Sequence, residues 1–325
     1  MRSPTLPFAR TTTFAFAVLA IAAMLGITGN GQPKRAAAGR AVPRTAWNAP
    51  DLQGLWTNAS LTPLERPAAL GAKEFFTPAE AAEYKTHALQ TYIESTNQTG
   101  DISGEQMPDL WGEERTIVPT LRTSLITGPS GRVPPLTPEG RQRLAARAAA
   151  QIGSGFDSPE QRPLNERCLW FPSDGPPMLP SITYNSNYEI VQTPGYLMIH
   201  AEMGNGVRIV PIDERPHLPA SMREWLGDSR AHWDGDTLVV DTTNVSDKRD
   251  VRGSTSGLHV VERFTRTAGD TLMYRFTVDD PTTWTAPWSG EIPMRPLDGL
   301  VYEYGCHEGN RSLGNVLSGA RAAER

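Results

Sequence analysis

From residue 184 onward, apolar and polar residues alternate with a period of two, and tight turns punctuate the alternation. Successive side chains of a strand point to opposite faces, so the pattern predicts strands with one face buried. Tyr196, Met198, His200 and Glu202 fall on one face, and Leu197, Ile199 and Ala201 on the other. Gly204-Asn205-Gly206 turns the chain into a strand over 207–212. Asp234-Gly235 marks a hairpin between a strand ending Ala231-His232-Trp233 and one over 237–242. Ala268-Gly269-Asp270 joins strands over 258–266 and 271–279, and a last strand is expected over 301–306. Residues 222–226 read as a short helix in a crossover. About seven or eight sequential antiparallel strands close into barrels or pack as sandwiches. The expected fold class is therefore mainly β: an antiparallel meander closing as a calycin-like β-barrel, or packing as a sandwich.

The N-terminal half reads differently. Residues 39–76 are irregular and proline-rich, although Asp51-Leu-Gln-Gly-Leu-Trp56 has the form of an opening barrel strand with Trp56 turned inward. Thr77-Pro78-Ala79-Glu80 is a capping box with proline at the first helical position. It predicts a helix to about Gln90. Thr137-Pro138-Glu139 starts a second, rich in Ala and Arg, to about Gln151. Between them, 97–135 reads as a loop wrapping the core. The expected organisation is a signal peptide over 1–38, a helical and irregular wrap over 39–180, and the barrel region over 181–325.

Composition narrows the setting. The 325-residue chain holds 28 Pro and 29 Gly, which favours turns over a helical bundle. A net charge of −5 with no basic stripe gives no sign of nucleic acid as a partner. Arg2 and Arg10 precede an apolar run from Phe14 to Ile27, which is too short for a span of about 20 residues. Ala36-Ala37-Ala38 then offers a cleavage site, Gly29 and Gly31 an earlier one, and the other reading of the run is an uncleaved N-terminal anchor. A periplasmic or secreted location is expected, with no stable membrane span after cleavage. In such an oxidising setting the two cysteines, Cys168 and Cys306, are most simply one disulfide. A nucleophilic or metal-binding thiol would need a reducing or protected setting.

Asp51–Trp56, Tyr188-Glu-Ile-Val191, the run from His232 to Thr242 and the run from Tyr302 to Asn310 together resemble a large group of secreted bacterial proteins. The resemblance covers most of the chain after residue 38 and transfers no catalytic residue. The hairpin pattern is also similar to calycin-type barrels such as lipocalins, which hold small ligands. Fold does not fix function.

Several groups carry possible chemistry. His200 and Glu202, on one strand face, suit acid–base work or metal ligation, or else a solvated hairpin end with a cross-strand salt bridge. The His-x-Glu string of zinc deaminases needs a downstream Pro-Cys-x-x-Cys that is absent here. Asp234 and Asp236 serve the turn beside His232, and Asp241 sits mid-strand, either on the outer face or in a polar cavity. Gly227-Asp228-Ser229 is a weak echo of GDS-type esterases. Glu303, His307, Glu308 and Asn310 crowd a strand end. Trp233, Trp284 and Trp288 supply aromatic walls or core packing. His217 and His259 receive no role. The expectation is an exported hydrolase or lyase acting on a small organic or carbohydrate substrate in a barrel cavity. His200 or His307 would be the base and Glu303 or Glu202 the acid, with His232 and Glu308 beside them, and Trp233 and Asn310 would hold substrate. The alternative is a non-catalytic lipocalin-like binding protein for a small ligand. No cofactor is expected, beyond a divalent metal on His200, Glu202 and a third ligand from the last strand.

Overall fold

The computed structural model describes residues 42–98, 114–151, 155–181, 184–213, 215–249 and 251–324. The expected signal peptide lies outside the described residues. Nine strands form one sheet: β1 (Gly54–Thr57), β2 (Asn187–Gln192), β3 (Tyr196–Ala201), β4 (Val207–Pro211), β5 (Asp228–Asp234), β6 (Thr237–Thr243), β7 (His259–Ala268), β8 (Thr271–Asp279) and β9 (Trp288–Pro296). Their spatial order is β4-β3-β2-β1-β9-β8-β7-β6-β5, every named pair being antiparallel. Two meanders, β2–β4 and β5–β9, are joined by β1 between them. A parallel bridge from Ile212 to Ala231 brings the free edges together, so the sheet is nearly closed into a barrel.

Three helices accompany it among the described residues: α1 (Pro78–Gln98), α2 (Pro138–Gln151) and α3 (Ser312–Ala323). The capping box at α1 is formed. Thr77 N donates to Glu80 Oε2 at 2.8 Å, and Glu80 N donates to Thr77 Oγ1 at 3.3 Å. The helix runs eight residues past the expected end, because nothing between Gln90 and Gln98 breaks it.

The last strand differs from expectation. Residues 301–306 form no strand, and β9 takes that place at 288–296. Pro293 and Pro296 disguised it, since proline is rare in central strands. Pro293 is tolerated because it falls between the bridge of Gly290 to Ile126 and the pairing of Arg295 and Pro296 with β1, and Pro296 ends the strand. Gly290 is required by close packing: a Cβ there would stand 2.4 Å from Cζ of Phe276. Residues 222–226 are turn and extended backbone, with Glu224 bridged to Val245 in parallel. Pairing with that neighbour gives the backbone partners which a single helical turn would lack.

The barrel interior is a packed core. Trp56, Tyr188, Leu197, Leu238, Phe264, Tyr274, Phe276, Ile292 and Met294 fill it, all essentially inaccessible to solvent. One ion pair sits among them. Arg208 on β4 donates to both Glu262 oxygens on β7, at 2.5 and 2.9 Å, and Tyr274 Oη donates to Oε1 at 2.8 Å. The segment 168–180 covers this region, Met178 N donating to Tyr274 Oη at 2.8 Å. Cys168 and Cys306 are joined in a disulfide with a Cα–Cα distance of 5.7 Å.

Candidate functional site

The groups singled out in the sequence divide between several surfaces. Glu202, Glu303, Glu308 and Asn310 line one open groove of about 1520 Å³ beside the disulfide. His200, His232, Trp233 and His307 do not line it. His200 faces outward on β3, its Nδ1 3.7 Å from Oε2 of Glu189 on the neighbouring strand. His232 is exposed on β5 opposite Val239, and Trp233 packs partly buried against the core. Glu303, His307 and Glu308 are exposed. The expected convergence of imidazoles and carboxylates around a barrel hollow is thus replaced by a packed interior and separate outer surfaces.

Glu202 is the one buried member of the set, and it does not lie on the face of His200. The strand ends at Ala201, and Glu202 adopts a right-handed helical turn with φ −63° and ψ −52°. Its Oε2 accepts a bond from Asn187 Nδ2 at 2.6 Å, and its Oε1 accepts one from Tyr302 N at 3.0 Å. Asn205 adds a reciprocal pair with the Tyr304 backbone at 2.9 and 3.0 Å. Together these bonds hold the segment before α3 against the β3–β4 turn. Asn310 Nδ2 lies 3.3 Å from Cys168 Sγ. Ser229 of the Gly-Asp-Ser string turns inward, buried and hydrogen-bonded to Thr242 Oγ1 at 2.8 Å. Among the described residues, no group of three or more His, Cys, Asp or Glu side chains is arranged to hold a metal ion.

The strongest constellation of titratable groups is one that the sequence pattern passed over. Asp228 and Arg230 on β5, Asp241 on β6 and His259 on β7 all face outward on one side of the sheet. The connection from β4 to β5 lays His217 across them. His217 Nδ1 is 2.9 Å from Asp228 Oδ2, and its Nε2 is 2.9 Å from Asp241 Oδ1. His259 Nε2 lies 2.8 Å from the other oxygen, Asp241 Oδ2. Asp228 is buried, accepts a bond from Leu218 N at 2.8 Å and pairs with Arg230 Nη1 at 2.5 Å. The result is a continuous chain, Arg230–Asp228–His217–Asp241–His259. No single motif could reveal it, because its members come from three strands and a loop.

Electrostatics favour a charged Asp241. Burial pushes its carboxyl up, but hydrogen bonds and attraction from His259 and His217 outweigh this and hold it below the usual carboxylate range. The bond to Asp241 raises the His259 pKa, partly offset by burial and aided by Asp279. The ionised Asp241 can only accept, so His259 carries its proton on Nε2 in the neutral form, leaving a lone pair on Nδ1. Because the folded-state pKa is raised, His259 contributes stability below about pH 6.5 that is lost as pH rises through the higher folded value. Urea melts of wild type and His259→Gln are expected to differ most near pH 5.5 and to converge toward pH 8. A difference that grows with pH would contradict the assignment.

A second polar cluster lies under the 168–180 segment. Burial pushes the Asp174 carboxyl up to about 6, against the lowering effect of the Phe171 N–H and Arg249. Burial and the nearby Arg208 push Arg249 down to about 9, opposed by Asp174 and Glu262. Gly204, at φ +83°, lets the backbone approach this carboxylate; a Cβ there would stand 2.6 Å from Asp174 Oδ1.

No family model, no curated protein and no solved structure matches the chain. The barrel agrees with the expected calycin-like pattern at the level of architecture, and the comparisons support no named group. Among the described residues, no helix is long and apolar enough to cross a membrane.

Proposed function

We propose that this is an exported hydrolase or lyase whose acid–base centre is the Asp241–His259 pair, backed by His217 and Asp228. The observation that carries the reading is Asp241, whose two carboxylate oxygens each meet a different imidazole at hydrogen-bond distance. A carboxylate that fixes the tautomer of an imidazole and stabilises its protonated form is the working part of general-base catalysis in acyl transfer. Here His259 Nδ1 would take a proton from water as it attacks, or from a substrate carbon in an elimination. The resulting imidazolium would return that proton to the leaving group. Arg230 and the recess of about 520 Å³ that Asp228 and Arg230 share with Trp225 would receive the substrate's polar end.

A panel of p-nitrophenyl esters and glycosides, with uronides followed by the absorbance of a new double bond, should yield a substrate for the purified chain. On it, Asp241→Asn and His259→Gln should each lower kcat by about 10²–10⁴-fold, the range typical of lost acid–base catalysis. The double variant Glu303→Ala/His307→Ala should keep the wild-type rate. The reverse result, with turnover lost only in the Glu303/His307 variant, would move the centre to the groove beside the disulfide. An absence of turnover across the panel would count against catalysis and favour a lipocalin-like binding role.

A further inference from the structure

Beyond the outward acid–base chain lies a second open groove, of about 1350 Å³, between α2, the segment 160–172 and the residues Asp247, Lys248, Arg252 and Gly253. Its walls are aromatic: Trp170, Trp225 and Trp284 all line it. Trp284 is held edge-on against Trp288 at 5.7 Å, so this wall is anchored in the core. Flat apolar walls of this kind suit planar ligands.

The charge of the groove is opposite to that of the chain. Five of its lining residues are basic, against two carboxylates, Glu160 and Asp247, in a protein of net charge −5. Arg162 is paired with Glu166 at 2.9 Å, and Arg252 is paired with Glu65. Among the described residues Lys248 has no ion-pair partner, and Arg167 has only the attraction of nearby Glu160. A local excess of cations at an aromatic cleft attracts anions and concentrates them there.

A further cation lies behind the Trp170 wall, outside the groove's own lining. Arg249, fully buried, stacks its guanidinium 5.1 Å from the Trp170 ring centre. Its Nε and Nη1, and Nε1 of Trp170, are buried without a hydrogen-bond partner. Arg249 does not touch the groove, and its charge adds to the positive field behind the aromatic wall. We infer that this groove is a binding site for a small planar anion, an aromatic carboxylate or its close chemical equivalent. Its flat body lies against Trp170 and Trp225, and its negative group faces Arg167 and Lys248. The inference shares only Trp225 with the acid–base reading and is read by binding alone, so either can fail without the other.

Calorimetric titration of the purified chain with 2-naphthoate and with its neutral counterpart, 2-naphthylmethanol, tests it. The acid should bind saturably and about tenfold or more tighter than the alcohol, a ratio worth about 1.4 kcal/mol. The Arg167→Glu/Lys248→Glu variant should lose that preference while binding the alcohol as before. Both side chains lie at the surface, where such changes seldom disturb folding, and an unchanged melting curve would confirm it. Trp225→Ala should weaken both probes. Saturable binding absent at millimolar concentrations, equal affinity for acid and alcohol, or a preference that survives charge reversal would each overturn the inference.

Discussion

Glu262→Ala is expected to destabilise the protein by about 3–5 kcal/mol, the usual result of removing one member of a buried ion pair. The residue is wholly inaccessible and accepts bonds from both Arg208 nitrogens and from Tyr274 Oη. Its loss strands the Arg208 guanidinium inside the barrel, with Arg249 also nearby and also positively charged. Asp174 faces Arg249 and leaves Arg208 without a counter-charge of its own, so the cost falls on the folded state. Guanidinium denaturation should show the full loss. The double variant Arg208→Met/Glu262→Leu should recover most of it, because an apolar pair of similar volume needs no counter-charge. If the single variant melts within 1 kcal/mol of wild type, the interior must already be wet, and the packed-core description fails with it.

Removing the disulfide should have a comparable effect by a different route. The Cys168–Cys306 link closes a loop of 138 residues. In the chain-entropy description, closing a loop this long removes enough freedom from the unfolded chain to stabilise the fold by about 4–5 kcal/mol. The paired Cys168→Ala/Cys306→Ala variant, or wild type with the bond reduced, should unfold at correspondingly lower denaturant. The link joins the segment that covers one end of the barrel to the segment before α3. Losing it should therefore loosen both partners of the Glu202–Tyr302 and Asn205–Tyr304 bonds, and hydrogen exchange at Tyr302 and Tyr304 should quicken more than at β7. Equal protection in the two forms would mean that the backbone clasp holds without the covalent bond.

Much of the barrel was legible in the alternation alone. The turns at Asp234-Gly235 and Gly269-Asp270 fixed the hairpins β5–β6 and β7–β8, since turn chemistry and period two are local properties. The inward placement of Trp56 and the two helix starts followed from equally local signals, and the pairing of the cysteines from there being just two of them. β9 escaped because its prolines read as loop, and 301–306 imitated a strand because Tyr302, Tyr304 and Cys306 recur at every second position. The site was less legible than the fold. Asp241 was narrowed to either face of a strand, and the outer one proved right, but His217 and His259 carried no signal. Their chemistry arises only from the loop that sets one imidazole between two carboxylates.

By itself the sequence determined most of the strands and turns, because each depends on neighbours along the chain, and the covalent tie, because two cysteines allow one pairing. Tertiary structure alone decided that the barrel interior is filled, that Arg208 and Glu262 meet inside it, and that Asp241 bridges two histidines outside it. Those outcomes depend on register and closure, which bring together residues separated by 18 to 54 positions. No local pattern encodes such distances. They follow from which face of each strand water leaves exposed, once nine strands have curled around a common core.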